Sequence, residues 1–402
     1  MTRMEGNFKV NGPRFLTLFD ALAKFGFTSE GLDREANTPA FFEARDFLKK
    51  EMEASGLATR IDAAGNLFGI LPGNGSCKTK ILSGSHLDSV IYGGAFDGAL
   101  GIVAALEAVR TLKDFHYVPR HSIEVVAFNA EEGGPLGGTF GSRVFAGLLK
   151  RKDVPEEILR SFDMDFDSLE ASRADAKEYH ASIELHIEQG PVLWDKGIPI
   201  GIPTGIVGIS RHSVRITGVA NHAGTTPMCR RKDAMQSAVR TLNQWFAWMK
   251  GSQEFVCNVG KFDLLPGHAS IVPACVSFIL ELRSTDSSIM KKAAEAFRAI
   301  LEEEKDCTVE MHLLGEKPPV FLDGKIVSVI RSVCEERGFR FVTMPSGASH
   351  DSSPLAKVMP SGMIFVPSAN GVSHAKEEHT SKEDMLRGLE CLTDTILKLD
   401  GL

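Results

Sequence analysis

The spacing of apolar residues predicts alternating helices and strands in the first half of the chain. Residues 13–25 and 41–52 carry apolar side chains at helical spacing with charged residues between them, as amphipathic helices do. Short apolar runs that end in turn residues predict strands at residues 80–85, 122–129 and 182–187. A helical pattern over residues 99–112 separates the first two strands, and this β-α-β order predicts a parallel or mixed sheet.

The pattern changes near residue 208. A β-α-β-β-α-β order follows, with strands at 211–218, 255–264, 271–282 and 308–314 and helices at 233–250 and 288–304. This order is typical of a ferredoxin-like unit. Beyond residue 317 the α/β pattern returns, and Ser381 with Asp384 is a plausible cap for the last helix. We therefore predict one α/β domain, formed by residues 1–207 and 318–402, which is interrupted by an inserted α+β domain at 208–317.

Composition narrows the classes of protein that the chain can represent. Its 402 residues include 45 basic and 52 acidic side chains, a formal net charge of −7, which argues against a nucleic-acid or anionic-membrane surface. No apolar stretch has the length of a membrane span, and the first residues lack the apolar segment of a signal peptide. The 7 cysteines form no CxxC pair, which favours reduced thiols in a cytoplasmic protein.

Histidine and carboxylate residues are concentrated in five short segments, and four of these follow predicted strands. They hold His86 with Asp88, Asp97 in a glycine-rich turn, the pair Glu131 and Glu132, His186, and His374. Taken singly, each has a plain structural explanation, such as a hydrogen-bonded histidine, a turn or a solvated acidic loop. Because side chains alternate in an extended chain, Asp88 can accept the imidazole proton of His86 while the other ring nitrogen meets a metal.

Taken together, these residues have the composition of a two-metal site. Imidazoles with one Asp and one Glu can hold two divalent ions that the Asp and a water molecule bridge, and the second Glu remains free to accept a proton. Glu131 and Glu132 would repel each other if buried without a cation. The ends of strands are also where open α/β sheets bind ligands. The sequence contains no nucleotide-binding glycine motif, no HExxH and no GxSxG, which disfavours nucleotide-binding proteins, single-helix zinc proteases and serine hydrolases.

The order of these motifs resembles the M20 family of metallohydrolases, in the branch of N-carbamoyl-L-amino acid hydrolases, ureidopropionases and allantoate amidohydrolases. The matching motifs are SHLDSV, GGAFDGALG, FNAEEG, HIEQGPVL, NHAGTTPM, SGASHDS and GVSHAKEEHT. The resemblance implies a mixed-sheet, di-metal aminopeptidase-like catalytic domain with an inserted lid and dimerisation domain. It also implies two divalent ions per subunit, Zn²⁺ or Mn²⁺, with Co²⁺ or Ni²⁺ as further candidates.

The same resemblance implies a role for each candidate residue. One ion would be held by His86, Asp97 and His186, and the other by Asp97, Glu132 and His374. Glu131 would be the general base, and Asp88 would orient His86. In a homodimer, His222 would reach the partner subunit's active site and polarise the scissile carbonyl. Arg283 and Gln189 would bind the carboxylate or amide of the substrate, a task that suits the planar guanidinium of arginine.

Three departures from the family pattern concern the substrate. Ser270 stands where the family usually has an Asn that contacts the substrate. Gly134-Pro135-Leu136 replaces the usual Ser-Arg-Phe, and Ser349 replaces the usual Gly before His350. None of these positions is a predicted metal ligand, so we expect the chemistry to be retained while the identity of the substrate stays open.

The expected activity is metal-dependent hydrolysis of a linear amide or ureido C–N bond in a small carboxylate substrate, such as an N-carbamoyl-L-amino acid or allantoate. Two alternatives remain. An aminoacylase or dipeptidase of the same family would use the same metals, although HIEQG and NHAGTTPM favour the ureido branch. A non-catalytic small-molecule binding protein could keep the fold and the pocket, although the full ligand set with Glu131 favours an enzyme.

Overall fold

The computed structural model describes residues 8–252 and 254–402, which divide into two compact units. The first unit takes the chain up to Ile206 together with Phe321–Leu402, and the second is Val207–Val320. The signal-peptide prediction concerns residues 1–7 and lies outside the described residues. Among the helices of the described chain, none combines the length and the apolar character needed to cross a membrane.

The secondary structure follows the alternation expected from the sequence. In chain order the helices are α1 (Gly12–Leu22), α2 (Pro39–Ala54), α3 (Ala99–Asp114), α4 (Phe140–Phe145), α5 (Glu156–Ser161), α6 (Phe166–Ala171), α7 (Val192–Lys196), α8 (Ala234–Met249), α9 (Ser287–Glu302), α10 (Gly324–Arg337), α11 (Ser352–Leu355) and α12 (Lys382–Gly401). The strands are β1 (Ala58–Ile61), β2 (Leu67–Leu71), β3 (Lys80–His86), β4 (Ser122–Phe128), β5 (Tyr179–Ile187), β6 (Ile200–Ile206), β7 (Gly208–Thr217), β8 (Val256–Leu265), β9 (Cys275–Ser284), β10 (Thr308–Lys317), β11 (Val320–Phe321), β12 (Phe341–Ser346) and β13 (Ser361–Val366).

The first unit is built on a mixed sheet with strand order β1-β2-β4-β3-β5-β13-β6-β11, and β12 pairs with β6. Its central strands β4, β3, β5 and β13 are parallel neighbours, whereas β2 runs antiparallel to β4. Parallel strands are covered on both faces, which explains why β3, β4 and β13 are buried almost throughout and why β4 and β13 are mostly apolar. The prediction of an α/β fold with a mixed sheet is therefore confirmed.

Helix α3 lies at the centre of this unit, and its sequence explains why. Nearly every residue of α3 is buried, as expected for a helix that is apolar on all sides. Glu107 and Thr111 are buried polar residues of α3, and Arg14 of α1 pairs with the Glu107 carboxylate at 2.7 Å. At the other end of the chain, α12 begins at the predicted cap, because the Asp384 N–H donates to Oγ of Ser381 at 3.1 Å.

The second unit has the predicted β-α-β-β-α-β order. Its sheet has strand order β10-β7-β9-β8 with antiparallel neighbours, and α8 and α9 contribute to one apolar core with the sheet. Residues of β9 alternate between buried and partly exposed, as expected for a strand with helices on one face only. Trp245, Phe278 and Phe297 are buried at the centre of this core. The roles of residues 208–317 as lid and dimerisation domain stay a prediction.

The fold of the first unit gathers the candidate residues at one edge of its sheet. His86 is the last residue of β3, His186 lies near the end of β5, and Glu131 and Glu132 follow β4. Because the carboxyl ends of parallel neighbours meet at the same edge, these side chains converge on one crevice.

Candidate metal centre

The carboxylate of Asp97 lies at the centre of the candidate site. Its Oδ1 is 3.3 Å from Nε2 of His86 and 3.1 Å from Nε2 of His186. Its Oδ2 is 3.2 Å from Nε2 of His374, and Oε2 of Glu132 is 3.4 Å from the same nitrogen. The structure thus brings together all five residues that the sequence singled out as metal ligands.

These side chains form groups whose donor atoms are close enough to share a cation. One group is His86, Asp97 and His186, and another is Asp97, Glu132 and His374, with ligand atoms within 4.8 Å of one another in each. The two groups have Asp97 in common, the carboxylate predicted to bridge. A further group, formed by Glu184, His186 and His350, shares His186 with the first. The site can therefore bind metal through overlapping sets of imidazole and carboxylate donors.

Unpaired buried atoms show that the donor set fits a cation. Oδ1 of Asp97, Oε1 of Glu132 and Nε2 of His186 are buried and make no hydrogen bond. Although Oδ1 of Asp97 and Nε2 of His186 are close, they do not satisfy each other by a hydrogen bond. Buried polar atoms without partners are costly, and imidazole with carboxylate is a donor combination that suits divalent transition metals. A divalent cation would satisfy all three atoms.

The electrostatics of the site also favour added positive charge. Burial raises the pKa of Glu132 to about 7, with a further contribution from the charge of Asp97. Burial raises the pKa of Glu131 well above its usual value, and the carboxylate of Asp351 adds to this effect. Burial also acts to raise the pKa of Asp97, but the surrounding imidazoles outweigh it and hold that pKa well below the usual range. Several carboxylates therefore lie close together in a buried region, where a cation would stabilise their negative charges.

The hydrogen bonds of Asp88 differ from those expected from the sequence. Nδ1 of His86 lies 3.0 Å from the main-chain carbonyl oxygen of Asp88 and 3.9 Å from its Oδ1. The carboxylate accepts the N–H groups of Glu131 at 3.1 Å and Glu132 at 3.0 Å, so both oxygens are already engaged. The expectation that the side chain accepts the imidazole proton is therefore corrected. The main-chain carbonyl of Asp88 orients His86. The carboxylate of Asp88 orients the turn that contains Glu131 and Glu132.

Main-chain carbonyls set the tautomers of His86 and His186. Nδ1 of His86 meets the carbonyl of Asp88, and Nδ1 of His186 lies 2.9 Å from the carbonyl oxygen of Ile187. Since a carbonyl can only accept, each Nδ1 carries the proton. Each Nε2 therefore presents its lone pair towards Asp97, as a metal-binding imidazole must.

The backbone takes up strained conformations at the residues around the site. Ala130, Gln189 and His374 have positive φ angles of 57°, 56° and 55°. Left-handed conformations of residues other than Gly cost free energy and are concentrated at functional sites. Gly98, at φ 65°, precedes α3, and a Cβ atom there would collide with His86. The turn that presents Asp97 therefore depends on a glycine.

Gln189, predicted to bind substrate, lies against the metal-ligand candidates. Its Nε2 donates to Oδ2 of Asp97 at 2.7 Å and lies 3.3 Å from Nε2 of His374. Its own N–H donates to Oγ of Ser368 at 3.0 Å, which helps to fix its left-handed backbone. The side chain thus lies beside the ligand candidates of the second group, Asp97 and His374.

Glu378 is a site residue that the sequence reasoning missed. It is buried, and its Oε1 accepts the N–H groups of Phe96 and Asp97 at 3.0 Å each. Its Oε2 accepts the hydroxyl of Ser373 at 2.8 Å. The sequence feature that could have identified Glu378 is its position in GVSHAKEEHT, four residues after His374. At that separation its carboxylate can accept hydrogen bonds from the loop that contains His374.

His222 lies in the second unit, where hydrogen bonds within its own turn set the tautomer of the neutral ring. The N–H groups of Gly224 and Thr225 point to Nδ1 of His222 at 3.1 and 3.3 Å, so this nitrogen is an acceptor. The proton of the neutral ring is therefore on Nε2, and the side chain is exposed. An exposed Nε2–H is a donor suited to a carbonyl or oxyanion.

Ser270 and Arg283 also lie in the second unit. The carbonyl of Ser270 accepts the N–H of Ala223 at 2.9 Å, which brings the Ser270 loop beside the His222 turn. The hydroxyl of Ser270 is 2.8 Å from Nδ1 of His268. Nε of Arg283 donates to Oε1 of Glu281 at 2.8 Å, and this pairing helps to orient the guanidinium.

Comparisons with known proteins place the chain in a family. Residues 82–398 match the family described as Peptidase family M20/M25/M40. An N-carbamoyl-L-amino acid amidohydrolase from Geobacillus stearothermophilus is 36% identical over 384 residues, which cover 92% of this chain and 94% of that protein. An allantoate amidohydrolase from Escherichia coli (strain K12) is 34% identical, with 94% of this chain and 95% of that protein covered.

A solved structure extends the likeness to the fold. An amidase of the hydantoinase/carbamoylase family from Burkholderia multivorans matches with a TM-score of 0.90 at 29% identity, covering 98% of this chain and 99% of that one. The family predicted from the motifs is thereby confirmed. With its sequence, its fold and its set of metal-ligand candidates in agreement, the chain belongs to the peptidase family M20/M25/M40.

Proposed function

We propose that the chain is a metal-dependent amidohydrolase that cleaves a linear amide or ureido C–N bond of a small carboxylate substrate. N-carbamoyl-L-amino acids and allantoate are the leading candidates, because the relatives at 36% and 34% identity carry these names. The observation that carries the proposal is the convergence of three imidazoles and Glu132 on Asp97, next to the buried Glu131.

The proposed cofactor is a pair of divalent ions, Zn²⁺ or Mn²⁺, with Co²⁺ or Ni²⁺ as further candidates. His86, Asp97 and His186 would hold one ion, and Asp97, Glu132 and His374 would hold the other. When bound, such ions act as Lewis acids and lower the pKa of a water molecule towards neutrality. The unpaired atoms of Asp97, Glu132 and His186 support this assignment.

Glu131 is the proposed general base. Its burial raises its pKa well above the usual value of a glutamate, so that it can take a proton from the attacking water and then release it. Asp88 fixes its position, since the Glu131 N–H donates to Oδ1 of Asp88 at 3.1 Å. After the attack, Glu131 would pass the proton to the leaving nitrogen. An N-carbamoyl substrate would yield the amino acid, ammonia and CO₂.

His222 is the proposed donor to the oxyanion. Its Nε2 carries the proton because Nδ1 accepts from Gly224 and Thr225, which supports a donor role in the neutral state. We propose that the chain forms a homodimer in which this side chain serves the partner subunit's site, with the second unit as lid. Half-exposed Phe246 and Trp248 on α8 support an interface on that unit.

Arg283, Gln189 and Ser270 are the proposed substrate-binding residues. The guanidinium of Arg283 suits bidentate binding of a carboxylate, and its link to Glu281 limits its orientations. Gln189 would contact the amide or carboxylate of the substrate. The proximity of Ser270 to the His222 turn supports a substrate contact at that position.

A panel of substrates tests the proposed reaction. Ammonia release would be measured with allantoate, N-carbamoyl-β-alanine and several N-carbamoyl-L-amino acids, and release of the free amino acid would be measured with dipeptides and N-acetyl amino acids. Metal-dependent ammonia release from ureido compounds is the expected result. Turnover of dipeptides or N-acetyl amino acids alone would favour the aminoacylase or dipeptidase alternative. Metal-free protein without metal-dependent turnover would favour the binding protein.

The compartment is a further proposal. We propose a cytoplasmic location, since the cysteines within the described chain are free thiols. Fractionation of the native cells, with detection of the protein in the cytosolic fraction, tests it.

A further inference from the structure

A cleft in the first unit opens beside the candidate metal centre. Its volume is about 380 Å³, and Glu132 and Asp88 form one of its walls. The remaining wall is mostly apolar, formed by Ala36, Val90, Ile91, Pro135, Leu136 and Phe162. A space of this size is typical of small-molecule sites, which combine apolar walls with few polar groups. The cleft is thus a binding region that adjoins the proposed reaction centre and shares Glu132 with it.

The residues that follow Glu131 and Glu132 form one wall of the cleft. Gly134, Pro135 and Leu136 all line it. Leu136 is 2% exposed and packs into a local apolar core, so it forms a well-packed part of the cleft wall. Neither Gly133 nor Gly134 has an atom within 4 Å of where a Cβ would stand. Short side chains therefore leave space where a longer one could reach.

The polar groups of the cleft discriminate between possible occupants. Nδ2 of Asn37 is buried without a hydrogen-bond partner, while Oδ1 of the same side chain accepts from Nδ2 of Asn129 at 3.0 Å. The hydrogen bond from Asn129 fixes the Asn37 side chain, and its buried Nδ2 is shielded from the open space of the cleft. Among the described residues that line the cleft there is no lysine, arginine or histidine, so an anionic side chain would be buried there without a cationic partner. The chemistry favours a neutral, mainly apolar group.

We propose that this cleft receives the side chain of the substrate and selects amino acid derivatives with medium or large apolar side chains. The inference rests on the proposed function, since it concerns the substrate of the same site. A leucine or methionine side chain would contact the apolar walls. An aspartate side chain of similar size would lose its hydration without gaining a cationic partner, and alanine is too short to fill the space.

The test compares kcat/KM for N-carbamoyl derivatives of L-leucine, L-methionine, L-alanine and L-aspartate. Because each buried methylene favours binding, leucine and methionine should exceed alanine by about 10- to 100-fold, with aspartate below alanine. Ile91 is 52% exposed, so Ile91→Asn should fold normally while it makes the wall polar. We expect this variant to lower the leucine-to-alanine ratio by about 5-fold. Val118→Asn, at a 61% exposed residue outside the cleft, is the matched control and should leave the ratio unchanged.

A binding measurement separates recognition from turnover. In the Glu131→Gln background, calorimetry should give tighter binding for N-carbamoyl-L-leucine than for the alanine derivative, by the same factor as kcat/KM. A leucine-to-alanine ratio near one, equal ratios in Ile91→Asn and Val118→Asn, or turnover restricted to allantoate or N-carbamoyl-β-alanine would overturn the inference and leave the proposed function in place. Absence of turnover and of binding for every compound would overturn both.

Discussion

Oε1 of Glu378 accepts the main-chain N–H of Asp97 at 3.0 Å, although the two residues are 281 positions apart in the sequence. The same carboxylate accepts the hydroxyl of Ser373, the residue before His374. Glu378 therefore ties the turn that presents Asp97 to the loop that presents His374. Two ligand candidates from distant parts of the chain are held in one arrangement by a residue that is not a ligand itself.

Loss of this link should weaken metal binding. We expect Glu378→Ala to lower metal affinity by about 10- to 100-fold, because groups that orient metal ligands are worth that much. Titration of the metal-free protein with Zn²⁺ or Mn²⁺, followed by calorimetry, measures the effect. Glu377→Ala removes the exposed neighbouring carboxylate and is the matched control. Equal affinities in the two variants would show that Glu378 does not position the site.

Glu131→Gln should separate metal binding from catalysis. The amide cannot take a proton from water, so we expect kcat to fall by about 10²- to 10⁴-fold. Metal content should stay at the wild-type level, since Glu131 is not among the proposed ligands. Steady-state kinetics and elemental analysis of the same preparation measure both quantities. Near-normal turnover would refute Glu131 as the general base.

His222→Ala tests the proposed oxyanion donor. We expect kcat to fall by about 10²- to 10³-fold, the cost of removing one donor to a developing oxyanion. The midpoint of thermal unfolding should hardly change, because the side chain is exposed. His312→Ala in the same unit, with a side chain that is 72% exposed, is the control. If the two variants had the same activity, His222 would have no part in catalysis.

The fold was predictable where burial leaves a strong pattern. The central strands β3, β4 and β5 are buried almost throughout, and the apolar residues that this burial requires marked them in the sequence. Strand β1 escaped prediction, since it is short, mostly exposed and pairs only with β2 at the sheet edge. Strand β6 was also missed, because its sequence IGIPTGI contains Gly and Pro, which normally argue against a strand.

The convergence of the ligand candidates was predictable, and the contacts between them were less so. His86 and His186 stand out because they lie at or near the ends of predicted strands, and Asp97 stands out because it is a carboxylate in a glycine-rich turn. The role of Asp88 could not be read correctly from alternation, because its carboxylate is engaged by amides that lie 43 and 44 residues further along the chain. Glu378 was missed for the same reason, since a hydrogen bond to a distant backbone requires no pattern in the sequence.

The metal content of purified protein tests the central claim most directly. We predict that elemental analysis finds two divalent ions per chain in the wild type. The Asp97→Ala variant should retain one ion or none, since each proposed ion uses that carboxylate. Asp46→Ala, at a side chain that is 62% exposed, should retain both. A wild-type protein that takes up no metal, or an Asp97→Ala variant that keeps two ions, would contradict a metal pair built around Asp97.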